Sequence, residues 1–85
     1  MNFSKALENI KSGKNVTRNC WDEEFIFLVQ ASTFRVNRPP LLGIYEEGFP
    51  IDYNAHIDIK LKDGSIAVWT FPQQDVLADD WEIVE

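Results

Sequence analysis

The sequence is poor in the side chains that usually hold metals or form covalent links. It has one cysteine, Cys20, and one histidine, His56, among 85 residues. A single cysteine excludes an internal disulfide and a zinc site built from several cysteines, and a single histidine excludes a two-histidine metal site within one chain. No glycine-rich stretch matches a dinucleotide or nucleoside-triphosphate fingerprint. We therefore expect no metal site, no cofactor and no catalytic residues.

Long apolar runs are also missing. The longest strongly apolar run covers residues 25–29, whereas a membrane-spanning helix needs roughly 20 apolar residues. The N-terminal residues do not combine a basic region with an apolar stretch, as a secretory signal does. These features predict a cytoplasmic protein that has no membrane partner.

The charge is acidic and unevenly distributed. The net charge is −6, with six basic and four acidic residues in positions 1–38 and two basic and ten acidic residues in positions 39–85. Such a chain is a poor partner for polymeric nucleic acid or an anionic membrane, because their affinity depends on many phosphate contacts. A small anion can still bind at Arg18, Arg35 or Arg38.

The composition is that of a small globular protein. Hydrophobic residues make up 45% and charged residues 26% of the chain, which is too apolar for a disordered segment. The length predicts a single domain over residues 1–85, near the lower size limit for an independent core, so oligomerisation would help it. The pattern along the chain predicts an α+β fold, in which a short N-terminal helix packs on a small antiparallel sheet with a long apolar loop.

The N-terminal residues predict an amphipathic helix, which is followed mainly by strands. Asn2 or Ser4 can cap this helix, and Gly13 can end it. The strand over residues 25–29 is apolar on both faces, which predicts a central strand that is covered on both sides. The other predicted elements are strands at 14–18, 33–36, 55–61, 65–71 and 81–84 and one helical turn at 72–77.

The hairpin over residues 55–71 organises the predicted sheet. Asp63 and Gly64 form a two-residue turn signal between two β-rich runs. With that turn, Ile59 lies opposite Val68 on the core face. Since side chains alternate across a strand, Trp69 is then expected to point away from the core.

Residues 39–54 predict a long structureless loop. They contain three prolines and two glycines, which disfavour regular structure. The loop is nevertheless rich in apolar side chains between Leu41 and Tyr53. We expect these side chains to be buried, either as part of a ligand pocket or in a subunit interface.

Three tryptophans are the most informative candidate site residues. Indoles stack on nucleobases, with about 1–3 kcal/mol per base, and arginine can bind phosphate bidentately. Trp81 alternates with Glu82 in the last strand and is predicted to lie in the core. For Trp21, close to Arg18, and for Trp69, stacking on a ligand and packing in the protein remain equal alternatives.

Two reactive side chains have simpler interpretations. His56 precedes Asp58 by two residues, a spacing that suits a base and its orienting carboxylate, although solvated polar residues on a strand are the favoured interpretation. Cys20 is expected to be a partly buried, inert thiol.

The sequence resembles a phage and prophage family, the Thoeris anti-defence sponge proteins of the second type. The resemblance extends over nearly the whole chain. The matching segments are MNFSKAL at 1–7, RNCW at 18–21, NRPPLLG at 37–43, HID at 56–58, and most of residues 68–84. It implies a helix on an antiparallel sheet, a homotetramer, and sequestration of a cyclic ADP-ribose isomer made by bacterial immune enzymes, so that the defence effector is not activated.

The resemblance also implies roles for five residues. The ligand is expected between subunits, with Trp21 and Trp69 stacking on adenine and Phe25 making an edge contact. Arg18 is the implied phosphate partner, and Asp75 the implied partner of a ribose hydroxyl. The final loop has Phe71-Pro72 and Gln74 where the family pattern has small or hydroxyl-bearing residues, so other cyclic nucleotides remain alternative ligands.

Three functional hypotheses follow from these observations. The leading one is a non-enzymatic sponge for a small nucleotide. The second is a small hydrolase of such a ligand, with His56 as base and Asp58 as its orienting group. The third is a protein-binding module that uses the apolar Leu41–Tyr53 loop.

Overall fold

A main antiparallel sheet and one covering helix form most of the structure. The computed structural model describes all residues, 1–85. The elements are α1 (Phe3–Lys11), β1 (Asn15–Arg18), β2 (Phe25–Val29), β3 (Ser32–Arg35), β4 (Pro50–Tyr53), β5 (His56–Lys60), β6 (Ile66–Val68), α2 (Gln73–Val76) and β7 (Trp81–Val84). The main sheet has the order β6-β5-β2-β1-β7, and β3 and β4 form a separate two-stranded sheet. The predicted α+β class is therefore confirmed. Neither helix is long and apolar enough to cross a membrane.

The N-terminal helix begins and ends where its sequence signals predict. The Asn2 side-chain oxygen accepts a hydrogen bond from the Lys5 backbone N–H at 3.0 Å, which satisfies one of the free donors of the first turn. After the helix, Gly13 takes a φ of +96°, a left-handed conformation that glycine adopts without a Cβ clash. Ala6 and Ile10 are fully buried. The helix thus presents an apolar stripe to the sheet.

The sheet is covered on one face only. Strand β2 is central, as predicted, and its Ile26 is fully buried on the side of α1. Phe25 and Phe27 point to the opposite face and are only half-buried. Within one chain only one side of β2 is covered, because the helix long enough to cover a sheet face, α1, lies on the Ile26 side; cover on the second side stays a prediction.

The β5–β6 hairpin has a different turn from the predicted one. Ile59 is paired with Ala67 instead of Val68, so the register is shifted by one residue. The Leu61 N–H donates to Ser65 O at 2.8 Å, and the Gly64 N–H donates to Leu61 O at 2.9 Å. With Gly64 at a φ of +90°, this is a three-residue loop that ends in a left-handed glycine. The predicted two-residue turn is wrong.

The register shift turns Trp69 toward the core. The Trp69 N–H donates to Ile57 O at 3.0 Å, and only 6% of Trp69 is exposed. The prediction that Trp69 points away from the core is wrong, because a slip of one residue moves every side chain of a strand to the other face. The buried cluster comprises Ala6, Ile10, Val16, Ile26, Trp69 and Trp81.

The second sheet belongs to a projecting segment, residues 32–53, here called the arm. The prediction of a structureless loop over residues 39–54 is wrong for β4, which pairs antiparallel with β3. Val36 anchors the arm: it is buried, its N–H donates to Phe49 O at 3.0 Å, and its oxygen accepts from the Gly48 N–H at 2.7 Å. Apolar side chains at the tip, including Ile44 and Tyr45, remain exposed.

Trp69 is expected to be a major contributor to stability. Replacing it with alanine (Trp69→Ala) should lower the free energy of unfolding by about 3–5 kcal/mol, because a large cavity would form in the core. Leu77→Ala is the control, since Leu77 is 72% exposed and its truncation should change stability little. Chemical denaturation of both variants measures the difference. Equal effects would contradict the observed register.

Candidate functional site

Arg18 joins three elements at one edge of the main sheet. It lies at the end of β1, opposite Trp81 of β7. Its Nη1 donates to Asp75 Oδ1 at 2.7 Å, its Nε donates to Asp80 Oδ1 at 2.9 Å, and its Nη2 donates to Asp80 Oδ2 at 3.3 Å. The contact with Asp80 is therefore bidentate. Arg18 holds α2 and the residue before β7 against the end of β1.

The two carboxylates compensate the Arg18 charge. Hydrogen bonds to Asp80 and then Asp75 raise the pKa of Arg18 above its usual value, and the hydrogen bond from Arg18 lowers the pKa of Asp80. Asp75 is only 6% exposed, so removal of Arg18 would leave it poorly solvated. A phosphate at Arg18 would have to compete with both carboxylates.

Four aromatic rings pack beside this ion-pair cluster. The ring of Trp21 lies edge-on to Trp81 at 5.2 Å and to Trp69 at 6.3 Å. Phe3 of α1 lies 5.4 Å from Trp81 and 6.0 Å from Trp69. The Trp81 Nε1–H donates to Asp75 O at 2.9 Å. The predicted core position of Trp81 is confirmed, and Trp21 and Trp69 meet in one cluster.

Trp69 also borders an open apolar cavity of about 430 Å³. The cavity lies between α1 and the neighbouring ends of β5 and β6. Phe71 stands at its edge, 59% exposed, with its ring 4.6 Å from Trp69 in an edge-on arrangement. The volume is within the range of small-ligand sites, about 300–1,000 Å³. Eight of the ten lining residues are hydrophobic: the lining is Leu7, Ile10, Lys11, Leu28, Ala55, His56, Ile57, Val68, Trp69 and Phe71.

The cavity does not follow from the predicted hairpin register, which points Trp69 away from the core. Leu7, Leu28 and Phe71 become its walls only when Trp69 faces α1. The signal that could have revealed it is the helical spacing of Leu7 with Phe3 and Ile10, since this spacing places Leu7 on the side of α1 that meets the sheet.

Phe25 is not brought to the cavity within one subunit. Its neighbour Ile26 points to the core that contains Trp69, so Phe25 points to the other face of the sheet. There its ring lies 6.0 Å from Phe27, and the Lys60 Nζ stands 5.5 Å from the ring centroid. Of the five predicted ligand residues, Arg18, Trp21, Trp69 and Asp75 cluster together, but only Trp69 lines the cavity. Phe25 could join them only from another subunit.

His56 and Asp58 are close but less solvated than expected. The His56 Nε2 lies 3.4 Å from Asp58 Oδ1, and both side chains are largely buried. The His56 Nδ1 must carry a proton, because it lies 2.9 Å from the Asn54 carbonyl oxygen. Asp58 Oδ1 is buried and has no hydrogen-bond partner. The expectation for Cys20 is also corrected, since this residue is exposed.

The Arg18–Asp80 contact should make stability depend on acid. The pKa of Asp80 is lowered in the folded state, so its stabilising effect is complete above the unfolded-state pKa of about 4. This stabilisation is lost as pH falls through the lower pKa that Asp80 has in the folded state. We expect Asp80→Asn to reduce the fall in melting temperature between pH 5 and strongly acidic pH. Asp79→Asn is the matched control, since Asp79 is exposed and forms no ion pair. Identical pH profiles for the two variants would contradict this assignment.

Comparison with known proteins shows the family. The family model described as "Thoeris anti-defense 2-like domain" matches residues 1–84. The protein "Thoeris anti-defense 2" of Bacillus phage SP01 is 36% identical over 84 residues, which cover 99% of this chain and 94% of the phage protein. The matched region contains both the ion-pair cluster and the cavity. The chain therefore belongs to the Thoeris anti-defense 2-like family.

Proposed function

We propose that this protein counters bacterial anti-phage defence by binding and sequestering a nucleotide-derived immune signal without changing it chemically. The observation that carries the proposal is the open apolar cavity beside Trp69 and Phe71, in a chain of an anti-defence family. A cavity with aromatic walls suits a nucleobase, because every base has a face that can stack on a ring. A cyclic ADP-ribose isomer or a related cyclic nucleotide is the proposed ligand, encountered in the bacterial cytoplasm.

The polar cluster next to Trp69 supplies partners for the sugar and phosphate groups. Asp75 Oδ1 is held by Arg18, whereas Asp75 Oδ2 accepts no hydrogen bond from the protein and is assigned to a ribose hydroxyl. Arg18 is assigned to a phosphate through the two guanidinium hydrogens that Asp75 and Asp80 do not use, and the phosphate competes with these carboxylates for the guanidinium charge. Trp21 and Trp69 form the aromatic side of this site.

The uncovered sheet face supports assembly with further copies of the chain. Val68 is 63% exposed on this face, in the same row as half-buried Phe27 with Asp58 of β5 between them, and groups of exposed apolar side chains usually mark an interaction surface. A homotetramer is the proposed assembly. In it, Phe25 of one subunit would complete the aromatic site of another.

Ligand recovery distinguishes a sponge from a hydrolase. The protein is incubated with the cyclic ADP-ribose isomer, separated from free ligand and denatured by heat, and the released compound is identified by mass spectrometry. Return of the unchanged compound is expected. A cleaved product that disappears in His56→Ala would instead assign hydrolysis to His56 and Asp58.

Substitution of Phe71 tests whether the ligand binds in the cavity without removing a core residue. Phe71→Ala should weaken binding of the same isomer about 5- to 150-fold, because aromatic stacking contributes about 1–3 kcal/mol per base. Phe71 is largely exposed, so this variant should keep its fold. Leu77→Ala, which truncates another exposed side chain, is the control in calorimetric titrations. Unchanged affinity in Phe71→Ala would place the ligand elsewhere.

The proposed assembly is tested by introducing a charge on the uncovered face. Val68→Glu should convert a tetramer into smaller species, because an unpaired buried carboxylate is strongly unfavourable in an apolar interface. Size-exclusion chromatography with light scattering measures the mass. Leu77→Glu makes the same chemical change at another exposed site and should leave the mass unaltered. A monomeric wild-type protein would refute the assembly.

A further inference from the structure

A second cavity, chemically unlike the first, lies in the arm. Its volume is about 630 Å³, and its wall is one continuous segment, residues 34–41. Here it is called the arm cavity. Its lining shares no residue with that of the apolar cavity beside Trp69.

Two arginines line the arm cavity, and no acidic residue does. The Arg35 Nη1 donates to Gly48 O at 2.9 Å, which fixes the side chain and leaves four of the five guanidinium hydrogens free. The Arg38 side chain forms no hydrogen bond or ion pair with any residue of the chain. Unlike Arg18, whose charge Asp75 and Asp80 compensate, these two guanidinium groups remain available to an external anion.

The backbone adds further donors to the same wall. The N–H groups of Asn37, Arg38 and Leu41 donate to no acceptor within the chain, and the Asn37 side-chain amide is also free. The two intervening residues are prolines and have no N–H to offer. The lining of the arm cavity therefore combines two guanidinium groups and unpaired N–H groups with no carboxylate, a composition that favours an anion with several oxygens over a cationic ligand.

The rest of the wall is apolar. Phe34 is partly exposed, and Pro39, Pro40 and Leu41 complete this side of the cavity. A flat ring can stack on Phe34 while an attached anion meets the arginines. The net charge of −6 disfavours a long polyanion. A ligand with a few phosphates and one ring fits both constraints.

We propose that the arm cavity is a separate binding site for a small organic phosphate of the nucleoside diphosphate class. Arg35 and Arg38 bind the phosphates, and Phe34 contacts the base. The site does not depend on the proposed sequestration of an immune signal, because its residues lie outside the Trp69 cavity.

Titration with ADP tests this site. Calorimetry on the wild-type protein should detect binding of ADP, and Arg38→Gln should lower the association constant about tenfold or more, since hydrogen bonds to a charged group are lost. The Arg38 side chain has no partner in the protein, so this variant should keep the wild-type melting temperature. Adenosine, which lacks phosphates, should bind at least about tenfold more weakly than ADP.

Two control variants establish whether ADP binds in the arm cavity itself. Lys62→Gln removes the same charge at the β5–β6 turn, where Lys62 pairs with Asp22, and should leave ADP affinity within about twofold. Phe71→Ala alters the Trp69 cavity, where the adenine of ADP can also stack, so the Arg38→Gln change is repeated in the Phe71→Ala background and should lower ADP affinity there by the same factor. Three results would overturn the proposal: no ADP binding by wild type, an equal loss in Lys62→Gln and Arg38→Gln, or a loss in Phe71→Ala with none in Arg38→Gln.

Discussion

The hydrogen bond from the Leu61 N–H to Ser65 O, at 2.8 Å, sets the register on which the rest of the structure depends. It closes a three-residue loop in which Gly64 adopts a left-handed conformation. That loop places Trp69 opposite Ile57 and turns its indole toward α1. With a loop shorter by one residue, β6 would turn its other face toward the core, and Thr70 would replace Trp69 opposite Ile57.

Trp69 connects the stability of the fold with the proposed binding site. One side of its indole packs in a cluster with Trp21, Trp81 and Phe3, and another borders the apolar cavity. The cluster is held in turn by Arg18, which ties β1 to α2 and to Asp80. The aromatic cluster and the Arg18 ion pairs both restrict the motion of Trp69. A ligand in the cavity would therefore contact a rigid indole, and less conformational entropy of the protein would be lost on binding.

The chain divides its surface into regions of different chemistry. The main sheet is covered by α1 on one face and leaves aromatic and aliphatic side chains on the other. The arm carries exposed apolar side chains, among them Ile44 and Tyr45, and a cavity lined by two arginines. A domain this small cannot bury all of its apolar surface alone, which is consistent with the proposed assembly.

The sequence by itself determined the elements whose signals are local: α1 with its Asn2 cap, the apolar strand β2, and β7 with the buried Trp81. Tertiary structure decided the rest. Asp63-Gly64 is compatible with loops of two or three residues, and only the packing of Trp69 against Phe3 of α1 and Trp81 of β7 selects between them. Arg18 meets Asp75 and Asp80 across 57 and 62 residues, and the walls of the cavity come from both ends of the chain. Caps and periodicity act over a few residues, whereas register, ion pairs and cavities depend on contacts between distant segments.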